Sequence, residues 1–148
     1  MGRMALFDRD ALADLLAGQH GVIARSQTST CAMSDAALRH RIREDGPWRV
    51  LLPGVYISST GTPTAVQREM AALLYAGPGS IITGSSALAF HRIRAPAAGI
   101  VDVLVPHERK RRDAGFVRVP RAVAAEIGSA LEASRGRQLP LVRTRPAR

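Results

Sequence analysis

The stretch 48–57 constrains the fold more than any other. Residues 48–51 and 55–57 are β-rich, and Leu52-Pro53-Gly54 lies between them, so proline and glycine set a hairpin turn. Just upstream, Ser34 is a good N-cap for a helix reaching to about Glu44, with Met33 placed to staple Leu38. If Leu38 and Ile42 face inward, a rotation of about 100° per residue puts Ala36, Arg39, His40 and Arg43 on the opposite face, with Arg41 nearer the buried side. A first helix starts at Asp8. Phe7 can staple Leu12, the stripe Leu12, Leu15 and Leu16 needs a partner to pack on, and Gly18 or Gly21 ends the helix. After Val22 and Ile23, residues 25–32 are polar except for Cys31 and Ala32. The expected order is therefore helix, short helix, helix, hairpin, which is that of a winged helix.

A second unit is expected after 58–63, a small, polar stretch containing Gly and Pro that reads as a domain boundary. Thr64 and Gln67 form a capping box, Val66, Met70, Leu73 and Leu74 an apolar stripe, and Gly77-Pro78-Gly79 a stop. A short strand at Ile81-Ile82 and a short helix ending near His91 follow. The runs 101–105 and 116–119 flank residues 107–115, which predicts a second hairpin with a basic loop. The class expected is α+β: a winged helix-turn-helix over 4–60, a small α/β unit with a basic β-hairpin over 61–120, and a basic tail over 121–148, partly helical or disordered. Val123, Ile127, Ala130 and Leu131 make a helical stripe in that tail.

Charge points towards an acidic partner. Over 148 residues the net charge is +9, and nucleic acid is the simplest polymer to match it. Twenty of the 21 cations are Arg and Lys110 is the only Lys, a bias that a GC-rich genome also produces. The excess is uneven: residues 1–106 carry ten cations and eight acids, or +2, while 107–148 carry eleven and four, or +7. The lone Cys31 excludes an internal disulfide and argues against a Cys-based zinc site. The first residues lack the apolar core of a signal peptide, and no run approaches the roughly 20 apolar residues of a membrane span, so a cytoplasmic, nucleoid-associated protein is expected.

Arg39, His40 and Arg43, with the small Ala36, suit a helix lying in the major groove, because Arg makes paired hydrogen bonds to guanine O6 and N7 and also binds phosphate. The bland alternative is a solvated helix face. Arg49 beside the Pro53-Gly54 turn suits a phosphate or the minor groove, or is an ordinary exposed strand residue. Trp48, Val50, Val55 and Tyr56 read as core or sheet packing, since aromatics are 4% of the chain and do not cluster into a stacking platform. Arg109-Lys110-Arg111-Arg112 is the densest charge block, suited to DNA phosphates or an acidic protein surface, or simply a solvated loop.

No constellation for catalysis assembles. Ser85, Ser86 and His91 lie on one short segment without a nucleophile elbow, and His20, His40 and His107 lack metal-helix spacing. Gly77-Pro78-Gly79-Ser80 lacks the Gly-Lys of a phosphate loop. Asp102 has only Glu108 nearby, so a solvent-facing strand residue is a better account of it than a nuclease carboxylate. No enzyme activity, cofactor or metal is expected.

Gly21-Val22-Ile23, residues 34–42, Trp48-Arg49-Val50, Pro53-Gly54-Val55-Tyr56, Ala76-Gly77-Pro78-Gly79 and Ser85-Ser86-Ala87 with His91 together resemble the AbiEi family of antitoxin-like regulators from abortive-infection (type IV) toxin–antitoxin systems and their actinobacterial relatives. The resemblance covers most of residues 8–120. It implies a winged helix that binds operator DNA and represses its own operon, with Ala36, Arg39, His40 and Arg43 in the major groove, Arg49 on the flanking backbone, and Thr28 and Ser29 adding phosphate contacts. It also implies a C-terminal unit linked to neutralising a nucleotidyltransferase-type toxin. The alternative is therefore a toxin-binding module with only non-specific DNA affinity. Three positions depart from the pattern: Ala24 replaces a Ser/Thr cap, Ser29 a buried Leu, and Ala32 a turn Gly. These changes predict a weakly packed first helix of the helix-turn-helix. Residues 139–148 resemble the entry to a further long helix, where the chain stops, which reads as a truncated member without the endonuclease-like domain of many relatives.

Overall fold

A computed structural model describes residues 7–83, 99–106 and 108–119. Its fold is α+β, with four α-helices and two three-stranded sheets among the described residues. The elements are α1 (Arg9–Gly18), β1 (Val22–Ala24), α2 (Arg25–Thr28) continued by a 3-10 turn (Ser29–Cys31), α3 (Asp35–Ile42), β2 (Arg49–Leu52), β3 (Val55–Ile57), α4 (Ala65–Ala76), β4 (Ile81–Thr83), β5 (Val101–Leu104) and β6 (Val117–Arg118). The chain divides into two compact units, Met1–Tyr75 and Ala76–Arg148.

Local capping chemistry sets the helix starts. Asp8 Oδ1 accepts from the Ala11 amide at 3.0 Å and Ser34 Oγ from the Ala37 amide at 3.2 Å, so each helix begins where its orphan amides find an oxygen. Thr64 and Gln67 form a reciprocal box, the Thr64 amide donating to Gln67 Oε1 at 3.0 Å and the Gln67 amide to Thr64 Oγ1 at 3.2 Å. Within the first unit, Leu12, Ile23, Cys31, Met33, Leu38, Trp48 and Tyr56 form one buried cluster, with Phe7, Leu15, Leu16 and Ile42 packed against it. α1 and α3 thus bury the faces their periodicity predicts.

The first sheet has the order β1-β3-β2, all antiparallel. Val22-Ile23-Ala24, which carries no strand signal of its own, pairs with β3 and is fully buried. Pro53-Gly54 makes the predicted turn between β2 and β3. Gly54 sits at φ +73°, a left-handed conformation that only glycine adopts cheaply, and its carbonyl accepts from the Arg25 amide at 2.8 Å.

α2 begins at Ala24, which has no capping oxygen. Gln27, three residues on, supplies the missing half: its Oε1 accepts from the Ala24 amide at 3.0 Å. Gln27 also exchanges two amide hydrogen bonds with Gln19, at 3.0 and 2.7 Å, and both side chains are buried. A buried polar pair therefore holds the segment, while Ser29 is exposed.

Ala32 ends the 3-10 turn at φ +54°. A left-handed alanine costs about 1–2 kcal/mol, part of which glycine returns to the unfolded chain as conformational freedom. Ala32→Gly is expected to stabilise the first unit by about 0.5–1 kcal/mol, read as a higher midpoint in urea denaturation. An unchanged or lower midpoint would show that the turn carries no strain.

Four expectations are corrected. The division between units falls at 75/76, because 58–63 is tied to the first unit: the Ser58 amide and Oγ both donate to the Gly21 carbonyl, at 2.9 and 3.1 Å, and Gln67 Nε2 donates to the His20 carbonyl at 2.9 Å. α3 ends at Ile42, not near Glu44, because Arg43 turns to an extended ψ of 164°.

The second sheet, β4-β5-β6, has no basic hairpin, since β5 and β6 are parallel, with Val101 opposite Val117 and Asp102 opposite Arg118. The twelve intervening residues are long enough for a crossover, and reciprocal bonds between Ala114 and Val117 at 3.0 and 2.8 Å reverse the chain just before β6. Asp102 does not face solvent. It is buried in β5, and Arg118 grips it with two hydrogen bonds of 2.6 and 2.9 Å. Those bonds, with the charge of Asp102, raise the Arg118 pKa further above its ordinary value, against a smaller opposing effect of desolvation.

The predicted short helix through Ser85, Ser86 and His91, the position of His107, and the helical stripe of the tail lie outside the described residues. Among those described, no helix is long and apolar enough to cross a membrane.

Candidate nucleic-acid interface

α3 presents the densest set of candidate residues in the first unit. Its buried anchor is Leu38, and Asp35, Ala36, Arg39 and His40 are exposed. The exposed Arg43 is the C-cap, so it stands just beyond the helix and not on its last turn. The side chains of Arg39, His40 and Arg43 make no hydrogen bond or ion pair among the described residues, so each is open to an external acceptor. Arg25 of α2 pairs with Asp35 at 3.4 Å, which joins the starts of the two helices at the surface.

Arg41 behaves differently. Its guanidinium lies 4.7 Å from the Phe7 ring centre and 5.3 Å from that of Trp48, a cation–π sandwich, and its Nε is buried with no hydrogen-bond partner. The Arg41 carbonyl also accepts from the Trp48 amide at 3.0 Å. This arginine fixes the end of α3 against the hairpin. Of the three arginines from 39 to 43, it is the one turned inward.

The supporting set is thinner than expected. Thr28 is a correction: it is buried at 4% exposure, and its hydroxyl donates to the Arg25 carbonyl at 2.7 Å, so it presents nothing to a phosphate. Ser29 is exposed, but its hydroxyl donates to the Ser26 carbonyl at 3.0 Å. Arg49 is exposed on β2, with its guanidinium on the carbonyls of Ser59, at 3.3 Å, and Gly61; contacting a phosphate requires exchanging those bonds.

The basic loop belongs to the second unit. Arg109 is half-buried and donates to the Ala76 carbonyl at 3.1 Å, a local structural role, while Lys110, Arg111 and Arg112 are exposed. Among the described residues, no three His, Cys, Asp or Glu side chains gather as a metal site.

Sequence reasoning missed Arg25, Asp35 and Tyr56. With Leu38, Arg39 and Ile42 they line a cavity of about 250 Å3 beside α3. Arg25 and Asp35 are ten residues apart on different helices, so no local spacing announces their pairing. Gln27 was detectable: a Gln three residues after a capless helix start is half of a capping box. No protein-family model matches the chain, and no curated protein matches it.

Proposed function

We propose that the chain is a sequence-specific, double-stranded DNA-binding regulator. Its first unit works as a winged helix-turn-helix, with α3 in the major groove and the β2–β3 hairpin as wing. The observation that carries the reading is that Arg39, His40 and Arg43, at one end of a helix whose opposite face is locked by Leu38 and Arg41, make no side-chain hydrogen bond or ion pair among the described residues. A rigid helix offering uncommitted guanidiniums and a small Ala36 is what base-edge recognition requires. The order of helices and hairpin supports the winged-helix assignment, and the net charge of +9 supports an acidic polymer as partner. The AbiEi resemblance extends the proposal to an antitoxin-like repressor of its own operon. Lys110, Arg111 and Arg112 then add sequence-independent affinity or engage a nucleotidyltransferase-type toxin.

The test is fluorescence anisotropy on the chain's own upstream region and on unrelated duplex, at two salt concentrations. Specific binding is expected to exceed non-specific binding by about 10³ or more at physiological salt. The Arg39→Ala/Arg43→Ala protein is expected to lose about 10²-fold of the specific affinity, at roughly 1–3 kcal/mol per arginine–base contact. Equal affinities that collapse together with salt would reduce DNA binding to charge attraction and favour the toxin-binding module.

A further inference from the structure

The geometry points to the cavity beside α3 as a binding site for a small monoanion with an apolar body. Leu38, Ile42 and Tyr56 supply the less polar part of the wall, and Arg25, Asp35 and Arg39 supply the charge. Asp35 is already paired with Arg25, so two guanidiniums and one carboxylate leave a single positive charge, and that charge belongs to Arg39, whose side chain has no ion pair among the described residues.

Three charged and three apolar or aromatic side chains line it, so polar groups can fix the orientation of a ligand whose body rests against the apolar ones. The charge balance selects a monoanion over a dianion. The wall selects a body that gains by leaving water. The volume of about 250 Å3 suits a small ligand, such as a monocyclic aromatic carboxylate. Such a carboxylate accepts from Arg39 in a charge-assisted pair that an uncharged analogue cannot reproduce.

The site has a regulatory consequence that rests on the DNA-binding reading. Arg39 cannot hold a carboxylate and a base edge at once, so the anion competes with DNA.

Isothermal titration of the full chain, with benzoate as the probe and no DNA present, tests the site itself. Benzoate is expected to bind at least about tenfold tighter than its neutral isostere benzamide, and inorganic phosphate at equal concentration to show no binding. Arg39→Met, at an exposed position, is expected to weaken benzoate about tenfold or more, as is Ile42→Phe, which fills the wall. Benzoate binding no tighter than benzamide, or binding unchanged in Arg39→Met, overturns the site. If benzoate binds as expected and leaves DNA affinity unchanged, the ligand site stands and the role of Arg39 in DNA binding falls.

Discussion

Gln27→Leu is expected to lower the stability of the first unit by about 3 kcal/mol, an unusually large cost for a substitution that nearly conserves shape and adds apolar surface. Gln27 Oε1 accepts from the Ala24 amide and from Gln19 Nε2, each at 3.0 Å, and its own Nε2 donates to Gln19 Oε1 at 2.7 Å. Leucine leaves the Ala24 amide and the Gln19 oxygen without partners, and each buried orphan costs about 1–3 kcal/mol. Gln19 keeps one bond, from its Nε2 to the Val22 carbonyl at 2.8 Å.

The pair is best apportioned by a double-mutant cycle. Gln19→Leu/Gln27→Leu removes both amides, so the orphaned Gln19 oxygen disappears and the double variant should cost less than the sum of the singles by more than about 1 kcal/mol. Urea denaturation of the four proteins measures this. Additivity within about 0.5 kcal/mol would mean that the two amides act independently and that the pair does not hold α2 in place.

That pair also marks the limit of what local pattern reveals. Caps and stripes were legible because their partners lie three or four residues away: Asp8, Ser34, the Thr64–Gln67 box, and the inward turn of Leu38, with Arg41 near it, all follow from helical periodicity. The Pro53-Gly54 hairpin was legible for the same reason. β1 was not, because three residues are too few to display a period of two, and its strand character comes entirely from pairing with β3 across more than thirty residues.

The parallel register of β5 and β6 was also hidden. A hairpin and a crossover read alike as two β-rich runs with a polar interval, and here the ion pair of Asp102 with Arg118, sixteen residues on, lies across the parallel register. In the candidate interface, exposure of Ala36, Arg39 and His40 followed from the helix alone. The engagement of Thr28, Arg49 and Arg109 with backbone carbonyls did not, because a cation or hydroxyl in a sequence does not reveal which unsatisfied carbonyl the fold will bring to it.

Gly46 is where α3 meets the hairpin, and Gly46→Ala is expected to destabilise the first unit by about 2–4 kcal/mol. A Cβ there would stand 2.1 Å from the Arg41 carbonyl oxygen and 2.7 Å from its carbon, backbone atoms at the end of α3 that have no rotamer by which to move aside. The loop must retreat, and two bonds are stretched as it does: Gly46 amide to Arg43 carbonyl at 2.8 Å, and Trp48 amide to Arg41 carbonyl at 3.0 Å. Trp48 is 5% exposed and is the chain's only tryptophan, so its intrinsic fluorescence reports the retreat directly as a red shift, alongside the lowered denaturation midpoint. Gly18→Ala is the matched control. Gly18 ends α1 with nothing within 4 Å of an added Cβ, so the same chemical change is expected to be neutral or to stabilise by about 0.5–1 kcal/mol. If Gly46→Ala stayed within about 1 kcal/mol of the parent with unshifted fluorescence, the loop would be free to relax and the packing of Arg41 and Trp48 would not fix the end of α3. If the losses appear as expected, the end of α3, with Arg43 as its C-cap, depends on a glycine three residues away.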